Sequence, residues 1–333
     1  MGLVDNAVYR DGVRVRTPAT LEETYEQVRA EHGMAWIGLY RPSPEELQSV
    51  AAEFGLHHLA VEDALKGHQR AKLERYGDTL FVVLRPARYL DREERVDFGE
   101  VHVFVGRDFA ISVRHAESPD LGRVRRRLEA DPELLRLGPQ AVLYGILDEV
   151  VDEYDPVLAG LENDLDEIED QLFGDADPDA LTRRIYDLFA EVIDFQRAIQ
   201  PLPETLARLV EGAARLDVDL ELQRHLRDVR DHVVRAADRV ESFRALLDKA
   251  LQVQSTLVAR EMTKTSLQQN EQMKKVTSWA AILFAPSLVG TVYGMNFVNM
   301  PELHWALGYP FALGLMASFA VILYVVFKTK RWL

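Results

Sequence analysis

The chain has 333 residues, of which 47% are apolar and 28% charged, so it is long enough for two or more folded domains. It contains no cysteine, which excludes a disulfide framework and thiolate metal sites such as zinc fingers. The formal net charge of −15 argues against nucleic acid as a partner, because phosphate binding depends on basic surface, and it favours cations as ligands.

The N-terminal part predicts an α/β domain over residues 1–138. Its first residues, MGLVDNAVYRDG, are not a basic stretch followed by an apolar run, so this region is expected to stay in the cytoplasm. Over 36–115 three apolar runs predict strands of an antiparallel or mixed sheet, with a hairpin turn at 106–108. The runs are AWIGLY, TLFVVLRPARYL and GEVHVFVGRDFAISVRH. Short helices are predicted over 43–54, behind the cap signature Ser-Pro-Glu-Glu, and over 59–65.

After Pro139 the apolar residues recur every three or four positions, which predicts helices. We assign 139–212 to acidic antiparallel helices, because 148–179 holds fourteen Asp or Glu residues and no Lys or Arg. Such a segment either concentrates divalent ions or is only a solvated acidic face. No glycine or proline occurs over 213–285, which predicts a helix on the order of 100 Å long with a stalk over 213–275.

The C-terminal part predicts two transmembrane helices, over 276–296 and 309–328. Residues 276–293 and 309–327 carry no charge, and each stretch is close to the ~20 residues that cross a bilayer. Lysines or arginines lie just before the first span and just after the second, and the tail over 329–333 is basic. The loop over 297–308, which joins the two spans, has none. The positive-inside rule then predicts an inner-membrane protein with both termini in the cytoplasm.

Two spans per chain do not enclose a pathway, so transport requires several copies around an axis. A stripe of small and weakly polar residues along the first span fits a helix that faces a narrow channel, although simple helix packing would also produce it. The stripe consists of Asn270, Met273, Thr277, Ala280, Phe284, Ser287, Thr291 and Gly294.

The residues at the end of the first span resemble those of a known family. The run Tyr293-Gly294-Met295-Asn296-Phe297 and the following Met-Pro-Glu-Leu closely resemble the CorA magnesium and cobalt transporters. The segments VEDALKGHQRAKLE and RDVRDH also resemble family segments, so the resemblance extends over nearly the whole chain. It implies an α+β cytoplasmic domain of the α/β/α sandwich type, followed by long helices and two C-terminal transmembrane helices. It also implies that five copies form a funnel.

The resemblance implies a selectivity filter at Gly294, Met295 and Asn296. A ring of carboxamides suits Mg2+, because this ion gives up its water reluctantly and the amide oxygen accepts hydrogen bonds from coordinated water. Met273 and Val276 resemble the hydrophobic gate of the family, and Asn270 lies at the cytoplasmic mouth. The chain departs from the family at two positions of the same helix, with a bulky Phe284 and a displaced Pro286.

The resemblance further implies a regulatory divalent ion between subunits. Asp63 and Asp228 match carboxylates that hold this ion, with Glu62 and Asp148 near a second site. From the residues alone, ordinary surface ion pairs are the favoured explanation of these carboxylates, and only the resemblance favours the sensor.

We therefore predict a homopentameric Mg2+ channel of the plasma membrane, with Mg2+ both as cargo and as regulator and with Co2+ as a possible second cargo. Alternatives that stay open are a Co2+, Ni2+ or Zn2+ transporter of the same superfamily and, more distantly, a membrane-anchored coiled-coil scaffold. No phosphate loop, nucleophile elbow or HExxH motif is present, so an enzyme is not predicted.

Overall fold

The computed structural model describes residues 2–67, 69–174, 176–215, 218–297 and 299–333, with all of their side chains except those of 214, 215, 302 and 303. Nine strands occur among these residues. They are β1 Leu3–Arg10, β2 Val13–Arg16, β3 Met34–Tyr40, β4 Lys72–Tyr76, β5 Thr79–Leu84, β6 Ala87–Leu90, β7 Arg95–Phe98, β8 Val101–Val105 and β9 Phe109–Arg114.

Eleven α-helices occur in the same described part of the chain, and a 3-10 turn at Pro301–His304 precedes the last. They are α1 Leu21–Glu31, α2 Pro44–Phe54, α3 His58–Lys66, α4 Leu121–Glu129, α5 Pro132–Leu135, α6 Pro139–Asp152, α7 Tyr154–Leu172, α8 Pro178–Ile199, α9 Leu202–Arg215, α10 Leu220–Tyr293 and α11 Gly308–Thr329.

The chain divides into two compact units, one ending at Gln252 and the other running from Val253 to Leu333. The first unit is built on a seven-stranded sheet of order β2-β1-β3-β9-β8-β5-β4, in which only β3 and β9 are parallel neighbours. Strands β6 and β7 form a separate hairpin. The mixed sheet agrees with the sequence prediction.

Apolar side chains cover both faces of the large sheet, because successive residues of a buried strand point to opposite sides. On one face Ile37 and Phe104 pack against α1, α2 and α3. On the other, Trp36 and Val103 belong to a larger core that continues through α4 and α6 to α10. The first unit is therefore an α/β/α arrangement, as predicted.

Several predicted elements match the structure closely. Ser43 caps α2 through a reciprocal capping box with Glu46, so the Ser-Pro-Glu-Glu signature marks the start of this helix. The hairpin between β8 and β9 turns at residues 106–108, and Gly106 N–H donates to the Phe109 carbonyl at 2.9 Å. Helix α3 extends one residue beyond each of its predicted ends.

Other elements differ from the sequence expectation. The run TLFVVLRPARYL forms two strands in different sheets, because Pro86 has no N–H for a ladder and the chain bends there. The helical segment that follows Pro139 is interrupted at Glu153, which separates α6 from α7. The long helix begins at Leu220, because α9 continues to Arg215. It ends at Tyr293, immediately before Gly294.

Candidate functional site

The second unit contains two helical segments whose apolar side chains are largely exposed. The C-terminal part of α10 and the whole of α11 are each long and apolar enough to cross a membrane. Leu283 and Phe284 are 70% and 72% exposed, respectively. An exposed apolar surface of this extent is unfavourable in water and favourable in lipid.

Within this unit α10 presents one packed face and one open face. Ser278 and Ile282 are buried, and the Trp279 and Tyr324 rings of α10 and α11 lie 6.5 Å apart. A Cβ on Gly290 would lie 3.4 Å from Met316 Cε, so this glycine also belongs to the face against α11.

The predicted stripe lies on the open face of α10. All eight of its residues and Val276 are exposed in the single chain. Met273 and Val276, the predicted gate, are 67% and 65% exposed. Since these positions do not pack against α11, they are free to line an axis shared with other copies.

The end of α10 delivers the predicted filter residues to the loop between the two apolar helices. Gly294 N–H donates to the Gly290 carbonyl at 3.0 Å, and a Cβ at Gly294 would lie 3.2 Å from that carbonyl oxygen. Glycine therefore allows a close helix end. Asn296 follows outside the helix with an exposed side chain.

In the first unit the predicted sensor residue Asp63 is held by a lysine. Gly67 ends α3 with a positive φ of 64°, and the chain returns as β4. This turn places Lys72 Nζ 2.7 Å from Asp63 Oδ2 and 2.8 Å from Glu74 Oε2. The Asp63 and Lys72 side chains are 25% and 27% exposed, so water only partly screens the pair.

The other three predicted sensor residues have their own partners. Glu62 pairs with Lys66 one helical turn away. Asp148 Oδ2 forms an ion pair with Arg127 Nη1 at 2.8 Å, and Asp228 Oδ2 lies 3.8 Å from His232 Nε2. These contacts all occur within one chain. They are the ordinary ion pairs that the sequence left open as an alternative.

Asp148 and Asp228 nevertheless share a neighbourhood between α6 and α10. Burial, together with the negative charges of Asp148, Asp228 and Asp152, raises the pKa of Tyr144 to about 12. Burial, followed by the charge of Asp148, also raises the pKa of Asp152. Asp148, Asp152 and Asp228 thus lie near one another. Asp63 instead contacts Lys72.

Within one chain these residues supply suitable ligand atoms for a divalent ion but too few of them at one place. Carboxylate oxygens are the ligands that Mg2+ prefers. Within the ranges that the structure describes, however, no three His, Asp or Glu side chains converge on a metal position. A site at Asp63 would therefore need ligands from a second chain. The sequence prediction missed Lys72, Asp152 and His232 as close neighbours, although two of them lie within the quoted segments.

Known proteins are similar to this chain over most of its length. A model of the family described as CorA-like Mg2+ transporter protein matches residues 31–331. The YfjQ protein of Bacillus subtilis (strain 168) is 31% identical over 301 residues, covering 89% of each chain. The cobalt/magnesium transport protein CorA of Thermotoga maritima is 30% identical over 302 residues, covering 90% of this chain and 83% of that one. The complete structure of the CorA magnesium transporter from Methanocaldococcus jannaschii matches with a TM-score of 0.67 at 19% identity, over 99% of both chains.

Proposed function

This chain belongs to the CorA-like Mg2+ transporter family, and we propose that it conducts hydrated Mg2+ through a channel formed by five copies in the plasma membrane. Both termini lie in the cytoplasm, in keeping with the basic residues that flank the apolar pair. Divalent-cation transport is the activity named for the relatives. The ion, the subunit number and the orientation are our proposal.

One observation carries the proposal: the open face of α10 ends at the exposed Asn296. Residues of the stripe lie on a face that α11 leaves uncovered. In lipid such a face with polar Thr277, Ser287 and Thr291 is unfavourable unless it meets other protein or water. Several copies arranged with this face inward would place these polar side chains against protein or water.

The proposed filter acts on the ion together with its water. Asn296 carboxamides from several chains accept hydrogen bonds from coordinated water, and they carry no net charge that would trap a divalent ion. Gly294 and Met295 set the position of the ring at the helix end. Asn270 forms the cytoplasmic mouth on the same helix.

The proposed gate lies between these two rings of amides. Met273 and Val276 side chains from neighbouring copies form an apolar constriction that excludes water when narrow. Ala280 and Phe284 continue the lining toward the filter, with the Phe284 ring as its widest side chain.

The proposed regulation uses Asp63 and Asp228 of adjacent chains, with Glu62 and Asp148 nearby. A divalent ion supplies positive charge that holds facing carboxylates together. Lys72 already pairs with Asp63 within one chain. The ion must therefore compete with an ammonium group, and Lys72 keeps Glu74 as its second partner when it is displaced.

Ion uptake by the purified chain in liposomes tests the proposal. We expect Mg2+ influx that external Co2+ inhibits by competition, and little influx of Zn2+. Zn2+ influx driven by a proton gradient would instead assign the chain to the zinc branch of the superfamily. The absence of any divalent flux from correctly inserted protein would favour a scaffold.

A further inference from the structure

The first unit contains a cavity of about 330 Å³ that lies apart from the proposed filter, gate and ion-sensing carboxylates. The sheet face forms its floor with Leu80 and Val105. Leu143 of α6, Leu209 of α9 and Leu222 of α10 line the other sides. Ligand pockets in proteins are mostly apolar and have volumes of roughly 300–1,000 Å³, so this cavity is large enough for a small molecule.

Two arginines flank the apolar floor. The strand register pairs Arg75 with Leu80, and Leu80 with Val105, so these three residues lie side by side on one face of β4, β5 and β8. Arg107 follows Val105 by two residues in the hairpin turn and also lines the cavity. The fold thus brings two guanidinium groups to one end of an apolar chamber.

These two arginines have no carboxylate partner among the residues that the structure describes. The third arginine of the lining, Arg208, is paired with Glu204 on its own helix. Asp78 is the one acidic residue described in the lining, and it makes no ion pair with either arginine. The lining therefore carries two exposed arginines without a described ion pair, beside the single carboxylate of Asp78.

We propose that this cavity binds a small amphiphilic monocarboxylate, such as a medium-chain fatty acid. A guanidinium group binds a carboxylate through two parallel hydrogen bonds, and two of them select an anionic head. The apolar chain would occupy the leucine-lined end, where burial removes it from water. Because Leu222 and Leu226 belong to the first turns of α10, the ligand would contact the beginning of the helix that ends at Tyr293.

Calorimetric titration of the full-length chain in lipid nanodiscs tests this site, with octanoate as the probe and empty nanodiscs as the blank. We expect saturable octanoate binding. 1-Octanol, which has the chain without the charge, should bind about tenfold more weakly, since it forgoes charge-assisted hydrogen bonds. Inorganic phosphate, which has the charge without the apolar chain, should not bind in the same range of ligand concentration.

Variants at the polar end test the role of the arginines. Arg75→Gln with Arg107→Gln should weaken octanoate binding about tenfold or more and should remove the preference over 1-octanol. Arg10→Gln is the matched control, because Arg10 is an exposed arginine paired with Glu31 at 3.0 Å outside the cavity. It should leave the octanoate affinity unchanged.

Gly212 allows the cavity volume to be tested separately. It lines the cavity from α9, and a Cβ placed on it would meet no atom within 4 Å. Gly212→Phe should fill the space and abolish octanoate binding, whereas Gly212→Ala should retain it. Both changes replace a helical glycine by a better helix former, so thermal unfolding should show that the variants are folded.

Three results would overturn the proposal. They are heat no greater than that of empty nanodiscs, equal octanoate affinity in the wild type and the double arginine variant, and unchanged binding in a folded Gly212→Phe variant. None of these results bears on Mg2+ transport, which the liposome assay measures independently.

Discussion

At the scale of single residues, Asn296 is the position where the proposed selectivity can be tested directly. Asn296→Ala removes the carboxamide but no packing contact, because the side chain is exposed. We expect Mg2+ influx to fall by about one order of magnitude or more, as hydrogen bonds to the coordinated water are lost. Liposome uptake, with the oligomer checked by size-exclusion chromatography, measures this.

Asn296→Asp is the matched charged variant. A ring of carboxylates should bind divalent ions more tightly and conduct them more slowly, because conduction needs binding weak enough for release. Near-normal flux in a correctly assembled Asn296→Ala variant would contradict the assignment of Asn296 to the filter.

Lys72 is the residue that sets how readily Asp63 accepts an ion. Lys72→Met keeps most of the side-chain length but removes the ammonium group that pairs with the Asp63 carboxylate. A partly exposed ion pair is worth up to about 1 kcal/mol, so the Mg2+ concentration for half-maximal protease protection should fall about two- to fivefold. The same variant should be more protease-sensitive without Mg2+, because the facing carboxylates then repel without compensation.

Two other variants serve as controls for Lys72. Lys72→Arg restores the charge and should restore the wild-type midpoint. Arg10→Met removes one cation from another exposed pair of the same unit and should leave the midpoint unchanged. A Lys72→Met midpoint equal to that of the wild type, while Asp63→Ala still abolishes the response, would show that Lys72 does not compete with the ion.

At the scale of elements, α10 is the helix whose orientation decides the pathway. The chain has no cysteine, so single cysteines can be introduced without background. We expect Thr277→Cys and Ser287→Cys to react with a charged, water-soluble thiol reagent, and this reaction should block Mg2+ flux, since both lie on the open face. Inhibition should be faster without Mg2+, when the proposed channel opens.

Ser278→Cys is the control on the opposite side of α10. Ser278 is fully buried and its hydroxyl donates to the Lys274 carbonyl at 2.8 Å. A thiol there should stay unmodified under the same conditions. Rapid modification at 278 with none at 277 or 287 would show that the helix is rotated and that the stripe does not face the pathway.

At the scale of the whole molecule, the proposed transport and the proposed regulation would both depend on contacts between copies. Two apolar helices do not enclose a water-filled pathway, and a single chain brings no three acidic or histidine ligands together in the ranges described. The proposal therefore requires neighbouring chains to complete both sites. Ion binding and pore opening are then linked through the assembly.

The double variant Asp63→Ala with Asp228→Ala tests this linkage. In the wild type, protease protection of the first unit should rise with added Mg2+, because the bound ion stabilises the closed arrangement. In the double variant protection should rise less, or need more Mg2+. Removing Mg2+ with a chelator should return the wild type, but not the variant, to the sensitive state.

The protease sensitivity of the wild type and the double variant is first compared without Ca2+ or Mg2+. This baseline is needed because the double variant has also lost the repulsion between the two carboxylates. An identical Mg2+ titration in the wild type and the double variant would show that these aspartates are not the sensor. That result would leave the filter at Asn296 untouched.

The sequence by itself determined the features that depend on local composition. Two uncharged stretches with basic flanks predict two spans, because crossing a bilayer requires about 20 apolar residues whatever surrounds them. The Gly294-Met295-Asn296 run at the end of the first span identified the family before any geometry was known. The mixed sheet followed from alternating apolar runs, and the start of α2 from its Ser43 capping box.

The tertiary structure decided which distant residues meet. The sequence separated Asp148 from Asp228 by eighty positions, and only the packing of α6 on α10 places both beside Tyr144. The pairing of Lys72 with Asp63 required the turn at Gly67, and the flanking of a cavity by Arg75 and Arg107 required the register of β4, β5 and β8. Likewise, the contacts between α10 and α11 determine which face of α10 stays uncovered. Helical periodicity identifies a stripe, but it does not say what covers the stripe, because that depends on residues far away in the chain.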